Sequence, residues 1–546
     1  VHPAPSPPTQ RRRSPASRLA LLAGLALYAL AHVHFGELLI TQTNNSDQAI
    51  LGEDQKHNIR LALEARADHQ PDWSEGLTEP LRRWFPHRTD GVVNPLWPWV
   101  ASRLADPTWE VSPPGVVSGS DRAFFDRGRR FHVRQTLGFL LALGLFTSLA
   151  LRWSTPSSLL LVSLGGMGAL LDRSAYFQPE PLFYQLFFLT WAAALAVIYK
   201  NSLWRYALLG LFAGLAYLAK GAVTPLLGVF VAITSLQFVR SLLPAHTGRP
   251  HAWRARNHIV GMIFLAGTFA LTAGPRLKEA AIRFGDPLHS YPKYWMWMED
   301  FPQGYAWMEQ HHDAATLRAI PPEERPSASL FLRQHGLAHS LQRLREGTAH
   351  RLSSFFAPKL TTRFKKGLPD PRPWKRPLEP RGLFLLALAG LAAATTTTAL
   401  AFCRERPPLA RARSRPARAL ARRLAAIPLP SPTQLGAIPP RLRRHAPLGP
   451  EPLALAAFVL ACFALYTLAF GFYFPISRSG DRFMLSLYLP LVFSCLATTE
   501  ALRPLLASWP TTPPKILRAI PIALWCLVAA TALRMAEIVI WPTFAP

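Results

Sequence analysis

The stretch Tyr176–Ile198, YFQPEPLFYQLFFLTWAAALAVI, decides the fold. Its second part, Leu182–Ile198, is apolar and uncharged, and about as long as the shortest helix that crosses a bilayer. Its first part, Tyr176–Phe187, sets Glu180 on the doorstep of that run. A carboxylate so placed is expensive in a chain built for lipid unless it does something.

Working outward, similar apolar runs recur along the chain. They are Ala16–Phe35, Val133–Leu151, Ser157–Leu171, Leu182–Ile198, Trp204–Leu218, Ala222–Phe238, Ile259–Ala273, Leu383–Phe402, Leu453–Phe474, Phe483–Thr498 and Ile520–Trp541. The pattern predicts an all-α polytopic membrane protein with about eleven transmembrane helices. Several runs are short for a span, and Gly221 is expected to mark a tight turn between two of them. Half of the 546 residues are hydrophobic and only 17% are charged, too few for a typical soluble protein of this length. No internal repeat of the transporter kind is visible.

Lys and Arg in the shorter loops set the orientation. Arg11, Arg12 and Arg13 place the N-terminus in the cytoplasm, ahead of a first span that reads as retained, since Ala31-His32-Val33-His34 is a poor cleavage site. Alternation then puts Lys200–Arg205, Arg240–Arg256, Arg404–Arg444 and Arg503–Arg518 inside. Residues 36–132 and 274–381 fall outside, the second despite its own Lys and Arg. Long loops cross largely regardless of charge. Both carry Trp, Tyr and Phe beside charges, which suits helices lying in the interface. The chain thus divides into a tail at 1–15, a membrane core at 16–300 with its first extracytoplasmic loop at 36–132, an extracytoplasmic loop at 301–381, and C-terminal helices at 382–546 with a basic cytoplasmic loop at 403–451.

The formal net charge of +28 would suit nucleic acid. The basic residues sit between apolar blocks instead, so they are read as loop charges beside anionic headgroups, with no nucleic-acid partner. Cys403, Cys462, Cys495 and Cys526 have no metal-ligand spacing and read as small buried apolar residues.

The candidate site residues share the outer side of this topology. Asp47, in TNNSDQAILGED, is a helix N-cap or a general base taking a proton from an acceptor hydroxyl. Glu180, ahead of Pro181, either complements a helix N-terminus or acts as a second acid that orients the acceptor or steadies positive charge on a sugar ring. Asp90, in an Asp-Gly pair, is a surface turn or part of a segment held at the interface by the nearby Pro and Trp residues. Lys220, before Gly221, snorkels at the water boundary or meets a lipid phosphate. Arg478 and Arg482 pair with Asp481 or clamp phosphate with their planar forks. His32, His34 and Glu37 lack trustworthy metal spacing, and no metal ligand is assigned.

In this order the positions resemble the GT-C superfamily of membrane glycosyltransferases, nearest the protein O-mannosyltransferase and lipid A aminoarabinose transferase group. The similarity covers roughly residues 16 to 300 plus Ser477–Leu491. It rests on Asp47 soon after the first span, Asp90 through Val100, Glu180-Pro181 at the fourth span, Lys220-Gly221 after an apolar run, and Arg482-Phe483 before Leu485–Leu491. The chain departs from relatives at Val92, Val93 and Asn94, where many carry a lysine, and at Glu180, where many have Asp. The resemblance implies a sugar carried on a polyprenyl phosphate and handed, with inversion, to a glycan, lipid or protein acceptor outside the cytoplasm of a bacterial inner membrane. Asp47, Glu180 and Asp90 would be catalytic, and Lys220, Arg478 and Arg482 would bind the donor phosphate. That scheme requires no metal and leaves room for a divalent ion. The alternative is a non-catalytic transporter or flippase of lipid-linked sugar.

Overall fold

The computed structural model describes residues 14–42, 50, 53–67, 85–106, 116–149, 155–242, 252–356, 451–476, 481–494 and short helical pieces between 496 and 529. Among these residues the regular structure is helical, with no strand. Five helices are long and apolar enough to cross a membrane: Pro15–Thr41, Glu180–Tyr199, Gly221–Val239, Arg256–Phe284 and Ala454–Phe472. Thr155–Leu164, Leu203–Ala219 and Arg482–Ser494 are apolar but shorter. The coarse expectation, an all-helical chain of membrane type, matches this architecture. The expected spans at Leu383–Phe402 and most of Ile520–Trp541 lie outside the described residues, as does basic segment 403–450.

The bundle is built from α1 (Pro15–Gln42), α4 (Gly119–Leu149), α5 (Thr155–Leu164), α6 (Glu180–Tyr199), α7 (Leu203–Ala219), α8 (Thr224–Leu242), α9 (Ala252–Phe284) and α14 (Glu451–Phe472). Outside it, in chain order, lie α2 (Glu53–Ala67), α3 (Leu96–Ser102), α10 (Tyr291–Trp295), α11 (Phe301–Gln310), α12 (Ala314–Ala319) and α13 (Ala328–Phe356), with α15 (Asp481–Met484) following α14. Helix α6 is central and touches α4, α7, α8 and α14. Its Phe183, Phe187, Trp191 and Ala194 are fully enclosed, as expected for a helix apolar on all sides. Polar side chains inside the bundle answer one another. Gln185 donates to Thr136 Oγ1 at 3.2 Å and exchanges hydrogen bonds with Gln135, and Ser174 donates to Thr136 at 3.1 Å.

Helix α7 lies closely along α9 because Gly210 and Gly214 present no side chain to it. A Cβ on Gly210 would strike the Leu265 carbonyl, and one on Gly214 would strike Thr272. Small residues four apart are how apolar helices approach without a hydrophobic driving force. The predicted turn at Gly221 is a break of a few residues. Lys220 is extended, and Gly221–Val223 makes one 3₁₀ turn before α8.

Two expected boundaries move. Helix α4 starts at Gly119, so its charged first half extends beyond the run beginning at Val133. Helix α9 runs on to Phe284, past Ala273 and through Pro275. Proline there removes one hydrogen bond within the helix, and the next residue turns its side chain to the segment beyond the helix end. The Arg276 guanidinium is buried and donates to Pro287 O at 2.9 Å, His289 O at 2.7 Å and Tyr217 Oη at 3.2 Å.

Arg276 exemplifies a correction. Arg129, Arg343 and Arg351 are also buried, although the sequence assigned basic residues to headgroups. Arg343 donates to the carbonyls of Met296, Met298 and Phe472, Arg351 to that of Phe470, and Arg129 to that of Ala175. Helix C-termini leave carbonyls unsatisfied, and arginine carries five donors in a rigid fork. A second correction concerns Cys526. It is exposed and Cys462 is buried; Cys526 sits on an outward face of the last described helix. Cys403 and Cys495 lie outside the described residues.

Helices α2 and α3 in one segment and α10, α11 and α12 in another pack into aromatic cores. One core centres on Trp97, Phe124, Phe125 and Phe177, the other on Phe284, Tyr291, Trp295, Met298 and Leu317. Gly91 joins the two segments. Its carbonyl accepts from Tyr291 N–H at 2.9 Å, and its φ of 82° lets the Tyr291 ring lie where a Cβ would stand.

Candidate functional site

Three chain breaks meet at one end of the bundle: the start of α6, the end of α7 and the segment after α14. Glu180 begins α6 because Pro179 and Pro181 favour a helix start, and the fold closes over it until its side chain is 3% exposed. Lys220 leaves α7 in an extended conformation that aims its ammonium at the same point. Its Nζ donates to Glu180 Oε1 at 2.8 Å. Arg482 Nε lies 3.6 Å from the same oxygen, and its Nη1 donates to Gln178 Oε1 at 3.3 Å. Tyr184, one turn along α6, donates its hydroxyl to the Arg482 carbonyl. Both cations also face the Phe483 ring, Lys220 Nζ at 4.3 Å and the Arg482 guanidinium at 5.2 Å from its centroid.

The charges do not cancel. Among the described residues one carboxylate faces two cations, so Glu180, Lys220 and Arg482 together carry a net positive charge. The lysine and arginine side chains are 22% and 18% exposed, so the acid is the floor and the cations the wall. Glu180 Oε2 is buried and accepts no hydrogen bond among the described residues. Such a group can fix two cations in register for an anionic ligand.

Asp90 belongs to a different network. Its Oδ1 accepts from the N–H groups of Val92 at 3.0 Å and Val93 at 2.8 Å, and its Oδ2 faces His57 Nδ1 at 2.7 Å and Arg60 Nη2 at 2.9 Å. Burial pushes its carboxyl up. The His57 hydrogen bond and charge and the two backbone donors outweigh that, leaving it below the usual carboxylate range. Both oxygens accept hydrogen bonds, so Asp90 anchors this turn in the structure. The turn it holds stands next to the cation cluster, with the Asn94 amide 4.0 Å from where a Cβ would stand on Gly221. Asp47 and Arg478 lie outside the described residues.

Sequence reasoning missed His132 and Gln178. His132 is fully buried, 3.7 Å ring to ring from Trp97, and neither ring nitrogen makes a well-formed hydrogen bond although the Gln178 backbone is its neighbour. The only signal was a histidine bordering the run that starts at Val133. The rejected His32, His34 and Glu37 grouping has other partners. His32 Nδ1 is 3.0 Å from Tyr28 Oη, its Nε2 is 3.2 Å from Val133 O, and Glu37 pairs with Arg130.

No protein-family model matches the chain, and no match is found among curated proteins or solved structures. The class that the fold itself defines is an all-helical protein with helices of membrane length and a buried, net-positive ion cluster at one end.

Proposed function

We propose that this chain is an integral glycosyltransferase of a bacterial inner membrane. It moves a sugar from a polyprenyl-phosphate donor to a glycan, lipid or protein acceptor on the extracytoplasmic side. The observation that carries the reading is the convergence of Lys220 and Arg482 on buried Glu180. A donor of this class brings an apolar tail, which needs a bilayer-facing groove, and a phosphate, which needs fixed cations at the membrane edge. The leaving group departs as a phosphate anion, so its departure needs electrostatic stabilisation more than a strong acid. Lys220 and Arg482 supply it as charge builds on the phosphate oxygen. Asp47 takes the acceptor hydroxyl proton as that oxygen attacks the anomeric carbon, inverting it. Glu180 holds the two cations apart and in place.

The test is sugar transfer by purified protein in lipid nanodiscs, using a radiolabelled polyprenyl-phosphate sugar and a mixed acceptor pool. Lys220→Ala and Arg482→Ala should each raise the donor concentration needed for half-maximal rate. Asp47→Asn should abolish transfer while donor binding persists. Donor binding or translocation without any transfer by the wild type would overturn the enzyme reading in favour of a transporter. Full turnover by Asp47→Asn would remove that residue as the base.

A further inference from the structure

Away from that cluster, Glu299, His335 and His339 bring one carboxylate and two imidazoles together, their ligand atoms all within 4.8 Å of one another. We propose that these three side chains bind a divalent transition metal of the zinc class, independently of the reaction above. The sequence pattern marks residues 301–381 only as a loop, and His335 and His339 fall inside it.

Local structure builds the site. Glu299 precedes α11, where Asp300 caps the helix by accepting from Gln303 N–H, while the Glu299 N–H is held by the Gln303 side chain at 2.8 Å. Its position is therefore fixed before any ligand arrives. The two histidines flank Gly336, whose φ of 75° and ψ of 170° kink α13. That backbone conformation suits glycine. The kink stacks the two rings at 5.2 Å and 29°, with Phe331 beside both.

The two carboxylate–imidazole distances fit tetrahedral coordination. Metal–ligand bonds of about 2.0–2.1 Å put neighbouring ligand atoms about 3.3–3.4 Å apart. Glu299 Oε1 lies 3.4 Å from His335 Nε2 and 3.5 Å from His339 Nε2. That oxygen is also buried without a hydrogen-bond partner among the described residues. Arg343, 3.9 Å away, is its nearest fixed cation, but its donors go to the carbonyls of Met296, Met298 and Phe472. This positive neighbour lowers cation affinity without filling the site. Two nitrogens and one oxygen suit zinc, copper or nickel better than magnesium or calcium. His339 and Glu299 are 45% and 43% exposed, leaving a fourth position open to water or an exogenous ligand. A bound ion would tie α13 to the turn before α11.

The experiment uses the full chain in nanodiscs, stripped with a chelator and dialysed against zinc. The expected result is one zinc per chain by elemental analysis, with affinity falling in His335→Ala/His339→Ala by more than the roughly 10–100-fold typical of outer-shell changes. His311→Ala/His312→Ala, a neighbouring pair outside the cluster, should leave it unchanged. Wild-type protein loaded with cobalt should show the intense visible bands of a tetrahedral site, a readout that needs no variant. Absence of saturable zinc binding, equal binding by the His335→Ala/His339→Ala protein, or a purely octahedral cobalt spectrum would each overturn the proposal.

Discussion

Replacing Glu180 with glutamine removes the carboxylate that Lys220 and Arg482 both face, and its cost can be worked from the geometry. A unit charge pair at about 4 Å is worth about 4 kcal/mol at an effective dielectric constant near 20. Here the contacts are 2.8 and 3.6 Å, and the acid is almost fully enclosed. Both cations keep some exposure, so water recovers part of that energy. Breaking a buried pair by deleting one partner costs roughly 3–5 kcal/mol, and discounting for this exposure leaves roughly 2.5 kcal/mol for Glu180→Gln. Lys220→Met keeps the stem and leaves Arg482 beside the acid, so it should cost only about 1 kcal/mol by the same reasoning. The double variant removes one of the two cations that would otherwise face glutamine, leaving Arg482, and should cost about 2 kcal/mol, giving a coupling near 1.5 kcal/mol. Reversible unfolding by sodium dodecyl sulfate in mixed micelles, followed by tryptophan fluorescence, measures all four proteins. Additivity within about 0.5 kcal/mol, or a larger loss for Lys220→Met than for Glu180→Gln, would refute the argument that the acid organises the cations.

Other consequences concern the bundle and the helices packed beside it. His289 is buried between Phe284 at 4.1 Å and Tyr291 at 4.7 Å, and burial, with Lys293 and Arg276 adding to it against Asp286, pulls its pKa down to about 4. Its neutral form is the one the fold accepts, so its stabilisation is complete above the unfolded value near 6.5 and is lost progressively as pH falls from there through 4. Between pH 7 and pH 5 the melting free energy should drop by roughly 2 kcal/mol, and His289→Phe, which keeps the ring stack, should flatten that dependence in scanning fluorimetry. Gly91→Ala places a Cβ in the Tyr291 ring at positive φ. It should destabilise by at least about 1–2 kcal/mol and speed tryptic cleavage at Arg88; an unchanged cleavage rate would count against the joint. Trp97→Ala empties a fully buried position against His132 and Phe177. A loss of about 3–5 kcal/mol is expected, visible as faster amide exchange in α3. Gly214→Leu should part α7 from α9, lowering the melting temperature more than Gly228→Leu, where a Cβ would meet nothing within 4 Å.

The helices were legible because apolar runs are an averaged signal, tolerant of single residues. The segments outside the bundle were less so. Their packing depends on which aromatic side meets which, and Trp97 meeting Phe177 joins residues that no local period relates. Glu180, Lys220 and Arg482 could be picked out because each is a charge abutting an apolar run, where a charge needs a reason. Asp90 was harder to read because an Asp-Gly pair looks alike whether it turns freely or is locked by His57 and Arg60. Those partners come from α2, far back along the chain. His335 and His339 carried a signal that went unread, the four-residue spacing that puts two histidines on one helix face; their third partner, Glu299, comes from another segment that no local period relates to them.

The buried arginines change what the net charge of +28 means. Charge counted along a sequence suggests attraction to anions, whether headgroups or nucleic acid. Yet Arg276, Arg343 and Arg351 are buried and spend their donors on backbone carbonyls at or just beyond helix ends, Arg343 with the Glu299 carboxylate only 3.9 Å away. A long-range positive field therefore overstates the number of sites open to a phosphate. Lys220 and Arg482 converge on one buried carboxylate, and they keep a measurable share of solvent exposure that the buried arginines lack. A cation held by an acid stays charged and fixed, and can exchange part of that pairing for a second anion without leaving a bare charge behind. Carbonyl-capping arginines cannot do so without uncapping a helix. On that physical distinction, rather than on the number of basic residues, rests our proposal that the Glu180 cluster receives the donor phosphate.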